Sequence, residues 1–143
     1  MQILAYVTAA ALAALTTPAS AIDMSTKIVG PDKVPFVDDF SSGATTPGKC
    51  DEAGEKKCLT VAGAAEHALL LCSGPPFCPK ENTDGDAKYR RTKIVDKIEA
   101  DPKSVTLSPE DMKTIKDVVG EMYSPVIVRA VWDAVDPTAK DKP

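Results

Sequence analysis

Apolar positions recur at three- and four-residue intervals in four separate stretches of this chain, the spacing that lines one face of an α-helix. In the first stretch, Val61, Ala65, Ala68, Leu69 and Cys72 share a face, Thr60 is placed to cap the start, and Ser73-Gly74-Pro75-Pro76 ends the run. A second helix is expected over roughly Ala87 to Ala100. Its buried stripe is the Arg91 stem with Ile94, Val95 and Ile98, its cap is Asp84 or Asp86, and Asp101-Pro102 stops it. The third has the clearest start, with Ser108 as N-cap, Pro109 at the first helical position, and Glu110 and Asp111 in the first turn. Met112, Ile115, Val118, Val119 and Met122 form its stripe. Tyr123-Ser124-Pro125 repeats the cap-plus-proline device for a fourth helix, about Pro125 to Ala134. That helix is apolar almost all round, which predicts a central place, with Arg129 and Asp133 pairing four residues apart on a wet face. The core is expected to centre on Ile115, Val119, Val128, Val131 and Trp132.

Residues 22–57 read differently. Gly, Pro, Ser, Thr and charged residues dominate, which predicts an irregular arm. Val34, Phe36, Val37 and Phe40 suit a short strand that Pro31 and Pro35 confine to an edge. Ser41 to Gly48, without a bulky apolar side chain, is expected to be mobile. Ser104 to Leu107 is β-prone and is expected to pair with Cys58 to Val61 or with Val34 to Val37. The expected class is mainly α: a small four-helix domain over 58–137, one or two minor strands, an irregular disulfide-stabilised N-terminal arm, and a polar tail over 138–143.

The first 21 residues stand apart from the rest, since no charged side chain occurs before Asp23. The run from Ile3 to Leu15 has the length of a signal-peptide hydrophobic region, and Ala19-Ser20-Ala21 supplies a cleavage site. A bilayer core needs about 20 apolar residues, more than this run offers. Residues 1–21 are therefore expected to be a signal peptide, without stable membrane insertion after processing. The positive charge of its start comes from the terminal amine alone.

All four cysteines, Cys50, Cys58, Cys72 and Cys78, follow the expected cut, and an even number suits an oxidising compartment, periplasmic or extracellular. Zinc is disfavoured, because the spacings are C-x7-C and C-x5-C rather than short knuckles. Cys58 and Cys72 flank the first helix, so about 21 Å separates them at 1.5 Å per residue, whereas bridged Cα atoms lie within roughly 7 Å. Two pairings remain: Cys50–Cys58 with Cys72–Cys78, or Cys50–Cys72 with Cys58–Cys78. The local pattern is favoured, with a bridge at each end of the helix.

The formal charge of −4 argues against nucleic acid, and the densest basic group, Lys88, Arg90, Arg91 and Lys93, sits among acidic neighbours. His67, the single histidine, follows Glu66 but has no nucleophile at a bonding offset on its helix. Asn82, Asp84, Gly85 and Asp86 are reminiscent of a calcium loop, but with Gly85 in sixth place the first and twelfth positions are Lys80 and Arg91. The carboxylate pairs Asp38-Asp39, Asp51-Glu52 and Glu110-Asp111 are sequence neighbours, which rarely face each other across a substrate. No catalytic residue, cofactor or metal is assigned. The Cys72 to Cys78 loop, with Phe77 held by Pro75, Pro76 and Pro79, is a candidate contact for a protein partner.

Three segments, CLTVAGAAEHALL, KYRRTKIVDKIE and VTLSPEDMKTIKDVVGEMYSPVIVRAVWDAVDP, resemble small phage and prophage proteins of unassigned activity. The resemblance covers residues 58–137 and implies a short helical domain behind an extended arm. It brings no catalytic or ligand residues, and the signal segment and cysteines depart from it. The expected function is an exported, non-enzymatic binding or structural protein. The alternative is a small secreted inhibitor or enzyme that uses the Cys72–Cys78 loop.

Overall fold

The computed structural model describes residues 21–39, 44–50, 57–72, 74, 78 and 84–136. Within them the chain forms β1 (Phe36–Asp39), β2 (Ala44–Pro47), β3 (Lys57–Cys58), α1 (Val61–Leu71), α2 (Gly85–Ala100), α3 (Pro109–Met122) and α4 (Pro125–Val135). The class is mainly α, with two disulfides, as the sequence leads one to expect. Residues 1–20, all but the last of the expected signal peptide, and residues 137–143, which include the expected polar tail, lie outside the described residues.

The helix starts follow from local chemistry. Thr60 Oγ1 accepts the Gly63 N–H at 3.0 Å, and Asp84 Oδ1 accepts that of Asp86 at 3.1 Å. Ser108 and Asp111 form a reciprocal capping box, each side chain accepting the other's backbone N–H. Ser124 differs from expectation: its side chain makes no cap bond, and Pro125 alone opens α4.

α1 is the helix the others surround, packing against α2, α3 and α4. Four of its buried residues are Ala62, Ala64, Ala65 and Ala68, and short side chains let three neighbours approach closely. This corrects the expectation that α4 is central. α4 buries a single stripe, Ile127, Val131 and Val135, while Val128 is half-buried and Trp132 is 39% exposed. The core therefore centres on Ile115, Val119 and Val131 with Leu59, Ile94, Ile98 and Ile127 rather than on Trp132.

The N-terminal segment is irregular in backbone, yet it belongs to this core. Met24 and Ile28 are fully buried. The carbonyls of Thr26 and Met24 accept the N–H groups of Val61 and Ala62 at 3.0 and 2.8 Å. With Thr60, they satisfy three of the four N–H groups that a helix leaves open at its start.

β1 lies in the middle of an antiparallel sheet of order β2-β1-β3, which corrects its expected edge position. Pro35 precedes the strand, so its missing N–H removes no rung from the sheet. Ala44–Pro47, expected to be mobile, pairs with β1 from Phe36↔Pro47 to Asp39↔Ala44. Val105 bridges to Ile22 rather than to either expected partner.

Candidate functional site

The favoured disulfides are the ones formed, Cys50–Cys58 and Cys72–Cys78. The second builds a clamp at the C-terminal end of α1. Cys72 caps the helix, donating its N–H to Ala68 O at 3.0 Å, and Cys78 N–H returns to Gly74 O at 3.0 Å. Gly74 has φ 134°, a region open to glycine and strained for other residues. The Arg91 guanidinium reaches from α2 and donates to the Cys72 carbonyl.

Arg91 is buried, 9% exposed, and burial draws its pKa down while the Glu121 charge opposes that shift. The Glu121 carboxylate from α3 lies within 4.8 Å of both sulfurs. These three side chains have the composition of a metal site, but the sulfurs are bonded to each other and offer no thiolate. The cluster ties α1, α2 and α3 together.

Beside the clamp, Leu70 is 55% exposed and Leu71 37% exposed. Leu69, Leu70, Lys88, Arg91 and Thr92 line a shallow groove of 280 Å³ between α1 and α2. Pro75, Pro76 and Phe77, the residues singled out for partner contact, lie outside the described residues.

A second groove, of 370 Å³, has Met112, Lys116, Trp132 and Asp136 among its walls. Trp132 Nε1 donates to Lys116 O at 3.2 Å, and the Lys116 ammonium stands 5.2 Å from the indole centroid while pairing with Asp136 at 3.0 Å. Those bonds hold the half-exposed ring in place.

His67 is half-buried, and its Nδ1 lies 3.4 Å from the hydroxyl of Tyr123. Burial pulls its pKa down to about 4. Burial also raises that of Tyr123, with the Asp38 charge adding to it. A histidine neutral at pH 7 beside a phenol that keeps its proton joins α1 to the end of α3; neither group is tuned to exchange a proton near neutrality. Asp84 and Asp86 stand at the start of α2, where Asp84 caps, which is the reading preferred over calcium; Asn82 lies outside the described residues. Glu110 and Asp111 open α3, and Asp111 pairs with Lys97 at 2.6 Å. Asp51 and Glu52 are outside the described residues.

No family model matches the chain, and no curated protein and no solved structure matches it.

Sequence reasoning missed Leu70, Leu71, Glu121 and Tyr123. The helical stripe of α1 ends at Cys72, so two leucines just off that stripe could have been read as exposed. Nothing local signals that Tyr123 meets His67 or that Glu121 meets the disulfide, because both contacts cross from the end of α3, one to the body of α1 and one to its C-terminal end.

Proposed function

We propose that the mature chain is an exported, non-enzymatic binding protein whose partner contact is the clamped end of α1, with Leu71 and the Cys72–Cys78 loop. The observation that carries this is the exposure of leucine beside a helix end held by a disulfide and by Arg91. Apolar surface held rigid loses little entropy on binding, so it is suited to recognition. Two disulfides support an oxidising compartment, and among the described residues no helix is long and apolar enough to cross a membrane. The apolar segment Ile3 to Leu15 with its Ala19-Ser20-Ala21 site supports export to the periplasm or beyond. A phage or prophage origin fits through the quoted segments.

Two measurements test this. Intact mass of the protein from the periplasm and the medium is expected to begin at Ile22 and to rise by four hydrogens on reduction. A full-length mass with free thiols refutes export. Crosslinked capture from the same compartment, compared between wild type and Leu71→Asp, is expected to lose its partner band in the variant at unchanged melting temperature. Phe77→Ser separates the inhibitor-like reading: lost capture at unchanged stability supports loop insertion, and lost stability with capture retained by the folded fraction sinks it.

A further inference from the structure

Cys72, Cys78 and Glu121 hold two sulfurs and a carboxylate oxygen within 4.8 Å of one another, where the end of α1 faces α3. Both cysteines are buried and Glu121 is half-buried. Among the described residues, no other three histidine, cysteine or carboxylate side chains come this close together. The spacing C-x5-C is longer than that of a short zinc knuckle. The fold compensates: the turn at Gly74, whose carbonyl accepts the Cys78 N–H, folds the loop back until the two cysteine Cα atoms are 5.1 Å apart.

Every chain is made with thiols and gains its bridges only by exchange with an oxidant. In the dithiol state the same groups are two sulfurs that can ionise and one carboxylate. Two thiolates and one carboxylate, set against the single charge of Arg91 on the Cys72 carbonyl, leave two negative charges, which a divalent cation neutralises. Sulfur ligands select a borderline-soft ion of the zinc type; calcium and magnesium take oxygen ligands. Zinc holds sulfur at about 2.3 Å, so two sulfurs on a tetrahedral ion stand about 3.8 Å apart. That separation is within the dimensions of the cluster.

We propose that, before its bridge closes, the Cys72–Cys78 clamp binds one zinc-type divalent cation through both sulfurs and Glu121, so that metal and disulfide are alternative states of one site. Water supplies the fourth ligand. Binding releases the two thiol protons. Closure then forms the S–S bond, frees the cation and passes two electrons to a disulfide oxidant, which takes up two protons and leaves as two thiols. The site goes beyond the partner reading, which concerns Leu71 and the closed clamp.

Cobalt(II) is the probe, since thiolate ligation and tetrahedral geometry give it characteristic charge-transfer and visible absorption. The protein is reduced with a phosphine, freed of reductant without air, and titrated with cobalt(II) and then zinc(II). One cobalt per chain is expected, displaced by zinc, and none on the disulfide-bonded protein. Glu121→Gln is expected to weaken binding by about tenfold or more, the loss that even an outer-shell partner causes. Cys72→Ser with Cys78→Ser is expected to abolish it, and Cys50→Ser with Cys58→Ser to leave it in place. Zinc is also expected to slow closure of Cys72–Cys78 by glutathione disulfide, more in wild type than in Glu121→Gln. Circular dichroism with and without zinc follows the folding of each reduced variant. Absence of the tetrahedral spectrum overturns the site, as does a spectrum that survives loss of Cys72 and Cys78 or is indifferent to Glu121→Gln. A reduced chain that stays unfolded with zinc overturns it as well. Loss of Leu71-dependent capture leaves these measurements untouched, so the two failures are distinguishable.

Discussion

Arg91 holds a carbonyl that α1 cannot satisfy by itself. The last carbonyls of a helix lack intrahelical partners, and at Cys72 that group is buried, out of reach of water. Arg91→Met keeps much of the side-chain volume but removes the donor and leaves the Glu121 charge facing an apolar stem. It is expected to cost about 2 to 3 kcal/mol, read as a lower urea midpoint at unchanged slope. His67 gives a different, pH-dependent signature. Its folded pKa, about 4, lies below its ordinary value of 6.5. Between those values the unfolded chain takes up a proton that the folded chain refuses. The stability due to His67 is therefore complete above pH 6.5 and declines as pH falls toward 4. Melts followed through Trp132 at pH 7.5 and pH 5 are expected to show a smaller loss for His67→Asn than for wild type. An equal loss would assign the acid sensitivity to other groups.

At the scale of elements, the two cap-plus-proline starts look alike in sequence and differ in structure. Ser108 closes a capping box with Asp111, whereas Ser124 makes no side-chain bond. Ser108→Ala is expected to cost about 1 kcal/mol and Ser124→Ala a few tenths, a contrast that paired thermal melts resolve. The Ser108 cap was legible because Ser108, Pro109, Glu110 and Asp111 are consecutive, whereas the return bond of the Asp111 side chain to Ser108 N–H is seen only in the structure. The stripe of α2 was legible for a similar reason, since Arg91, Ile94, Val95 and Ile98 repeat at helical spacing and all are buried. Composition misled where it stood in for packing. α4 is rich in apolar residues, but the alanines of α1 admit the closer neighbours, so α1 took the centre and Trp132 stayed half outside. Contacts across the chain left no periodic trace. Tyr123 and His67 are 56 residues apart, and the carbonyls that cap α1 come from Thr26 and Met24, in a segment whose composition reads as loop.

At the scale of the whole molecule, that N-terminal segment and the two disulfides share the task of holding α1. Met24 is fully buried, so Met24→Ala is expected to cost roughly 2 to 5 kcal/mol, as deletion from a packed core does. The disulfides are best compared with each other. Loop entropy depends on the residues enclosed, and the bridges span separations of 8 and 6. On that basis each contributes about 2 kcal/mol, with Cys50–Cys58 slightly ahead. The surroundings reverse that order. At the start of α1, Thr26, Met24 and Thr60 satisfy the open N–H groups whether or not Cys50 is bonded. At its end, Cys72–Cys78 positions the carbonyl that receives Arg91 and sits beside Glu121, so its loss also loosens a buried charge cluster. Cys72→Ala with Cys78→Ala is therefore expected to lower the melting temperature more than Cys50→Ala with Cys58→Ala. In the Arg91→Met background the two pairs are expected to become nearly equal, because the cluster is then already broken. If the shorter loop costs less in both backgrounds, the clamp is held by Arg91 and Glu121 without help from the disulfide.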